Sequence, residues 1–223
     1  MAGVKLEVWG DLALFTRVDS KSERASYPVI TPSAARAIVE AVLWRPAIRF
    51  SVNRIHVLNP IRFLNIRRNE LGSKISKNSA ASVMKSGGGL ATYIESDRQQ
   101  RAAMMLQDVH YVIEATFDVL DSSQHPGKFL AMFERRAKNG QCGIRPYLGT
   151  RECDCHFAWC KEIPTGHYSN LAEHDFGMML HDLDYSDPSG PVPHFFHAQM
   201  RNGVIDVPKF PQAKATQPNG GDQ

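Results

Sequence analysis

The chain has 223 residues, 43% apolar and 22% charged, enough to bury the core of one domain with a sizeable appendage and ordinary for a soluble globular protein. No apolar run approaches the ~20 residues that cross a bilayer, which excludes a membrane-spanning helix. The net charge of +3 is unevenly spread: residues 45–101 hold eleven Lys/Arg (45, 49, 54, 62, 67, 68, 74, 77, 85, 98, 101) against three acids (70, 95, 97), so that segment carries +8 and the remainder −5. A basic block on an otherwise acidic chain points to a polyanionic partner, nucleic acid first.

The opening MAGVKLEVWGDLALF lacks the charged start and apolar stretch of a signal peptide, so a cytoplasmic location is expected. Within it, VKLEVWGDLALF (4–15) alternates Val4, Leu6 and Val8 and predicts a strand. Residues 16–31 have no period and predict a loop. SAARAIVEAVLWRP (33–46) predicts a helix capped by Ser33, with Ala35, Ile38, Val39 and Val42 on one face and Pro46 as its stop. AIRFSVNRIHVL (47–58) alternates Ile48, Phe50 and Val52 with polar residues and predicts the second strand.

From about 61 to 107 the pattern degrades into a basic insertion. There IRFLNIRRNE predicts a strand entering a loop. LGSKISKNSAASVMKSGGGL predicts a mobile segment with Gly87–Gly89 as a hinge, and SDRQQRAAMML (96–106) a short helical turn. DVHYVIEATFDVL (108–120) predicts a strand. HPGKFLAMFERRAKNGQ (125–141) predicts a helix with Phe129, Met132, Phe133 and Ala137 on one face and Asn139-Gly140 as its end. IRPYLGTRECDCHFAW (144–159) predicts a further strand. FGMMLHDLDY (176–185) and PHFFHAQMRNGVIDVP (193–208) add more, with a tight turn at Arg201-Asn202-Gly203. KFPQAKATQPNGGDQ (209–223) predicts a disordered tail.

The order β-α-β, insertion, β-α-β predicts an α+β fold of the ferredoxin-like, RNA-recognition-like βαββαβ kind, with both helices on one face of an antiparallel sheet. The expected division is a domain over 1–160 that includes the basic insertion (about 61–107), a C-terminal β-rich extension over 161–208, and the tail.

Lys128 stands out on the first turn of the second long helix, where the helix dipole disfavours a cation. Amides at a helix N-terminus together with an ammonium make a place for an anion such as a phosphate. The four cysteines, Cys142, Cys153, Cys155 and Cys160, are spaced C-x10-C-x-C-x4-C, which matches none of the paired spacings of structural zinc sites. Free thiols are expected, with no metal and no cofactor.

Five stretches together resemble one family: VWGDLALFTR, SAARAIVEAVLWRPAIRF, RIHVLNPIRFLNIRRNE, DRQQRAAMMLQDVHYVIEATF and YLGTRE. They are similar, in order and spacing, to CRISPR-associated protein family five in its type I-C form. The resemblance implies a subunit that binds the 5′ handle of CRISPR RNA at one end of the Cascade effector complex. Its partners would be the type I-C backbone and large subunits, with target DNA met indirectly through the complex. It also implies an endoribonuclease that processes precursor CRISPR RNA without metal. The ribose 2′-hydroxyl attacks the adjacent phosphate and leaves a 2′,3′-cyclic phosphate and a 5′-hydroxyl.

That reaction needs a group to take the 2′-OH proton, a cation to offset the extra transition-state charge, and a proton for the departing 5′-oxygen. The family's processing site pairs a tyrosine or histidine near the end of the first helix with a Lys-His dipeptide at the start of the second. Here the lysine matches Lys128, but the other positions hold Leu43 and Phe129, which cannot move protons. His125, three residues before Lys128, and Tyr27 are the replacements expected, with His110 and Tyr111 as further candidates on opposite faces of one strand. Alternatively Lys128 acts by orientation and electrostatics alone, or the protein is a non-catalytic scaffold that binds CRISPR RNA without cutting it. Arg54, Arg62, Arg67, Arg68, Lys74 and Lys77 are the expected phosphate contacts, and Trp9, Phe63 and Tyr93 the candidates for base stacking.

Overall fold

The strand β1 (Ala2–Ala13) buries Val4, Leu6 and Val8 and leaves Lys5, Glu7 and Trp9 on its other face, the alternation expected of a half-buried strand. The computed structural model describes residues 2–20, 23–186 and 188–210. β1 runs antiparallel to the long strand β5 (Arg98–Val119), from Ala2 opposite Phe117 to Ala13 opposite Leu106. The two-residue strand β2 (Arg24–Ala25) pairs parallel with Ala103 and Met104 of β5, β3 (Ile48–Val57) pairs antiparallel on the other side of β5, and β6 (His156–Trp159) lies on the outer side of β1. These strands stand in the order β6-β1-β5-β3.

Two helices pack on this sheet. α1 (Pro32–Val42) buries Ala35, Ile38, Val39 and Val42 and packs on β3; α3 (Pro126–Lys138) buries Phe129, Phe133 and Ala137 and packs on β1 and β6. Phe50 and Phe117 from the sheet meet Phe133 and Phe129 from α3 at ring distances of 5.8 and 6.4 Å. Aromatic edge contacts of this kind add to the area they bury. α1 is capped by Thr31, whose Oγ1 accepts from the Ala34 amide at 3.3 Å, rather than by Ser33. Pro32 occupies the first helical position, where a missing amide costs nothing, and this moves the start one residue back.

The insertion forms regular secondary structure. β4 (Phe63–Leu71) pairs antiparallel with residues 98–106 of β5, so β3 and β4 form with β5 one long hairpin. The expected helical turn at 96–106 is therefore strand: Ala103 and Met105 are buried while Gln100 and Met104 are not, a period of two that a short apolar run hides. The hairpin carries α2 (Lys77–Ser86), where a mobile segment was expected. Ser76 caps it, accepting from the Ser79 amide at 3.0 Å, and Gly87 ends it in the left-handed conformation at φ 71°. α2 buries no residue, so it is an appendage rather than part of the core.

The strand expected over 144–159 shrinks to β6, because residues 147–154 turn. Leu148 and Leu14 are bonded through their backbones at 3.0 Å, and Gly149 has φ +87° with no room for a side chain. A Cβ there would collide with the Leu14 carbonyl oxygen. Gly149→Ala should therefore cost at least ~2 kcal/mol and lower the thermal midpoint by about 4–8 °C, measured by circular dichroism. An unchanged midpoint would contradict the packing described.

The C-terminal strands β7 (His174–Asp184), β8 (Val192–Arg201) and β9 (Val204–Asp206) extend the same sheet through β9, which pairs with β3. Asn202 and Gly203 make the expected tight turn, both with positive φ. β7 reaches α1, where Arg36 donates to both oxygens of Asp182 at 2.7 and 3.0 Å. Residues 211–223 of the expected disordered tail lie outside the described residues. Among the described residues no helix is long and apolar enough to cross a membrane.

Candidate functional site

The turn from β5 into α3 is built by Asp121. Its carboxylate accepts from the Ser123 amide and hydroxyl at 3.0 and 2.6 Å and from the Gln124 side-chain amide at 2.9 Å. The Ser123 hydroxyl and the Gln124 amide hold this carboxyl below the usual range, and the nearby Lys128 charge adds to the effect. His125 then caps α3, its Nδ1 accepting from the Gly127 amide at 3.1 Å. Pro126 has no amide, and the Lys128 amide donates to the His125 carbonyl at 3.1 Å. The first turn thus offers an incoming anion no free amide. What it offers is the Lys128 ammonium, exposed, 3.4 Å from the Gln124 side-chain oxygen Oε1 and 5.8 Å from the centre of the Phe129 ring.

That ammonium lies on the wall of a cleft of about 640 Å³ between the start of β3 and the start of α3. Ala47, Leu120, Phe129 and Met132 give the cleft an apolar lining, Asp121 and Gln124 sit beside Lys128, and Arg45 supplies a second cation. The Leu120 amide donates to the Ala47 carbonyl at 2.8 Å, which zips the two walls together beneath the opening. Arg45 was legible only as one of eleven basic residues; its position follows from the end of α1 and the pairing of β3 with the last residues of β5.

His125 stands beside this cleft but is committed to the cap. A ring whose Nδ1 accepts a hydrogen bond carries its proton on Nε2 when neutral, and protonating Nδ1 would break the cap. The cap is worth about 1 kcal/mol. His125→Ala should lose that stability, whereas His125→Asn should restore it, since Asn is a good N-cap. If His125 only caps, cleavage returns with Asn; if its imidazole moves a proton, stability returns and cleavage does not. Melting curves and single-turnover rates on the two variants separate these outcomes.

The other expected acid–base residues are elsewhere. Of the two positions that depart from the family's pattern, Leu43 is fully buried in the core, and Phe129, 2% exposed, packs into the core while its ring floors the cleft. Tyr27 is also buried, with its hydroxyl pushed up by burial. It lies where the Ser26 amide donates to the Met104 carbonyl, at the opposite end of β5 from Leu120, on the order of 50 Å away along the strand. Tyr111 is in the core and burial raises its hydroxyl too. His110 is on the opposite face, its Nε2 2.7 Å from Glu7 Oε1. Cys153 and Cys155 are buried, and burial raises both thiols, that of Cys155 to about 12.

The expected phosphate contacts gather on the hairpin arm formed by β4, α2 and the start of β5. Arg62, Arg67, Lys74 and Lys77 are exposed and have no acidic partner among the described residues. Arg68 differs: it faces Arg101 across the hairpin and is ion-paired with Glu152. Glu70 holds Arg24 and Arg101 at 3.4 and 3.7 Å. One face of the arm is thereby neutralised, and the other, with Asn65, Arg67, Asn69, Arg98 and Phe63, stays open. Arg54 is outside the arm and is paired with Asp206 at 3.0 Å.

Arm and cleft do not adjoin. The root of the arm pairs Phe63 with Leu106, and the cleft end of β3 pairs Ile48 with Val119. The intervening stretch of β5 spans about 43 Å at ~3.3 Å per residue. A stacked single strand rises ~3.4 Å per nucleotide, so one RNA touching both would run across about 13 nucleotides.

A family model described as CRISPR-associated protein (Cas_Cas5) matches residues 3–208. A protein of Mannheimia succiniciproducens named CRISPR pre-crRNA endoribonuclease Cas5d is 49% identical over 216 residues, which cover 93% of this chain and 95% of that one. A protein of Thermus thermophilus with the same name is 39% identical over 227 residues, covering 93% and 92%. The crystal structure of a CRISPR-associated protein superposes with a TM-score of 0.66 at 26% identity, over 92% of this chain and 91% of that one. The chain belongs to the CRISPR-associated Cas5 family, in its type I-C form, Cas5d.

Proposed function

We propose that this chain cuts precursor CRISPR RNA at the Lys128 cleft, without metal, and stays on the 5′ handle as a subunit of type I-C Cascade. The observation that carries this reading is the cleft itself: two cations, Lys128 and Arg45, over an apolar floor of Leu120, Phe129 and Met132. A phosphate seated there leaves water, and cations gain strength against its developing charge as the local dielectric falls. The curated relatives named as pre-crRNA endoribonucleases supply the substrate.

In this reading the ribose 2′-oxygen attacks the adjacent phosphorus as the bond to the 5′-oxygen breaks, the 2′-proton passes to water and the departing 5′-oxygen takes a proton from water, while Lys128 and Arg45 offset the charge that builds on the non-bridging oxygens. Asp121 is a poor proton acceptor, because its carboxylate is already held by Ser123 and Gln124. Orientation and electrostatics therefore carry most of the rate. The unpaired cations of the arm hold the RNA backbone at a distance from the cut. The strand order β6-β1-β5-β3 is fourth, first, third, second in the chain; it supports a ferredoxin-like, RNA-recognition-like core over 1–160, with 161–208 as its β extension. Partners are the CRISPR RNA and the backbone and large subunits of Cascade, with target DNA met through the complex, in the cytoplasm.

The second reading is a CRISPR RNA-binding scaffold that does not cut. It is favoured by one observation: among the residues lining the cleft, only Asp121 could accept a proton. The test is incubation of the purified chain with its repeat RNA in EDTA. The proposal expects one cut and a 2′,3′-cyclic phosphate end. Tight binding with the repeat left intact would select the scaffold.

A further inference from the structure

A second recess, of about 190 Å³, opens midway along β5 on the face of the sheet turned away from the helices. Glu7, Trp9, Asp11, Asn59, Asp108 and His110 line it. Trp9 is 37% exposed, with its ring fixed by two histidines: His156 stacks on it at 5.8 Å and 23°, and His110 meets it edge-on at 5.9 Å and 61°. Glu7 is committed to His110. The Asp108 carbonyl and carboxylate accept from the Asn59 amide at 3.0 and 3.2 Å. Asp11 is exposed and has no partner among the described residues.

Two features say what fits. The carboxylates repel phosphate, so the part of a nucleotide that enters is its uncharged base. The recess also adjoins the root of the basic arm, where the Gln107 amide donates to the Arg62 carbonyl at 3.0 Å, so a strand held by Arg62 passes its mouth. We propose that this recess takes one nucleobase bearing an exocyclic amine: Trp9 supplies the stacking surface and Asp11 accepts from the amine. Uracil presents a carbonyl oxygen at the corresponding place and is repelled by the carboxylate. The inference rests on the chain being an RNA-binding protein and adds a specificity site remote from the cleavage cleft.

The test compares fluorescently labelled oligocytidine and oligouridine octamers by anisotropy on the full chain. Cytosine and uracil are both pyrimidines and differ where the amine stands. The parent protein should bind the cytidine octamer about tenfold more tightly. Asp11→Asn can donate as well as accept, so it should reduce the preference to about twofold or less. Trp9→Ala should weaken both octamers about tenfold, and Trp9→Phe, which keeps a ring, should recover most of that if Trp9→Ala is folded but unable to stack. Equal binding of the two octamers, or a preference unchanged in Asp11→Asn, overturns the recess as a base site. In either case cleavage of the repeat RNA would still stand. No binding of either octamer together with an uncut repeat would instead remove the RNA-binding reading on which the recess depends.

Discussion

Lys128→Ala should slow single-turnover cleavage of the repeat RNA by about 10²–10³-fold, the loss seen when one preorganised charge-stabilising group is removed from a transition state. Affinity for the same RNA should fall only by the share of one phosphate contact, with the salt slope reduced by about 1. The asymmetry follows from the cleft. Lys128 has two weak neutral contacts, with Gln124 and the Phe129 ring, and no ion pair among the described residues, so its charge is available to the phosphate. The substitution is structurally mild: Lys128 is exposed on the first helical turn, and alanine is a better helix former there. Lys128→Arg should retain a part of the rate, since the charge stays but the fork is held differently. Equal losses in rate and affinity would make Lys128 a phosphate anchor only.

The second large effect is on binding. Replacing Arg62, Arg67, Lys74 and Lys77 together by alanine should weaken RNA binding at low salt by about 10²–10³-fold. It should lower the slope of log K against log salt by about 3, at ~0.7 per phosphate contact on a single strand. Cleavage at saturating RNA should change little, because these residues stand about 43 Å or more along β5 from the cleft, Lys74 and Lys77 beyond its far end. Arg68→Ala is the internal control: its charge is already met by Glu152, and its loss should alter the slope far less than that of Arg67, its unpaired neighbour on the opposite face of the same strand. If Arg68 and Arg67 weigh the same, the division of the arm into a neutralised and an open face is wrong.

Much of this was legible in the chain. β1, α1, β3, the second half of β5 and α3 carry regular apolar periods, and each forms where that period predicts it. The failures have local causes. Residues 98–106 hold glutamines, arginines, alanines and methionines, good helix formers that become strand only because β4 lies beside them, a tertiary effect that propensity does not register. α2 was hidden by its Ser-, Lys- and Gly-rich composition, although Ser76 and Gly87 are good caps. It buries nothing, so no apolar stripe announced it. The strand at 144–159 is cut short by Gly149, whose positive φ is invisible without the approach of Leu14.

The site was legible in kind and not in arrangement. Lys128 and the basic block both stand out in the sequence, but their separation depends on the 22-residue length of β5. That length emerges only when the supposed helical turn is recognised as strand. Leu43 and Phe129 look like lost catalytic groups when aligned by motif, yet Leu43 is a core side chain and Phe129 is a largely buried one whose ring forms part of the cleft floor. Arg45 could not be singled out, since nothing in its neighbours distinguishes it from the other arginines of the block.

The central claim is that the cut is made at Lys128 while the arm grips RNA far from it. Site-specific photo-crosslinking reads this directly, with a photoreactive amino acid placed at Met132 in the cleft or at Ser79 on α2, and the uncut repeat RNA held on Lys128→Ala protein. The account predicts that the cleft probe marks the nucleotides flanking the scissile bond and that the arm probe marks a separate stretch, on the order of ten nucleotides away. Crosslinks from the arm probe to the scissile nucleotides, with none from the cleft, would contradict it.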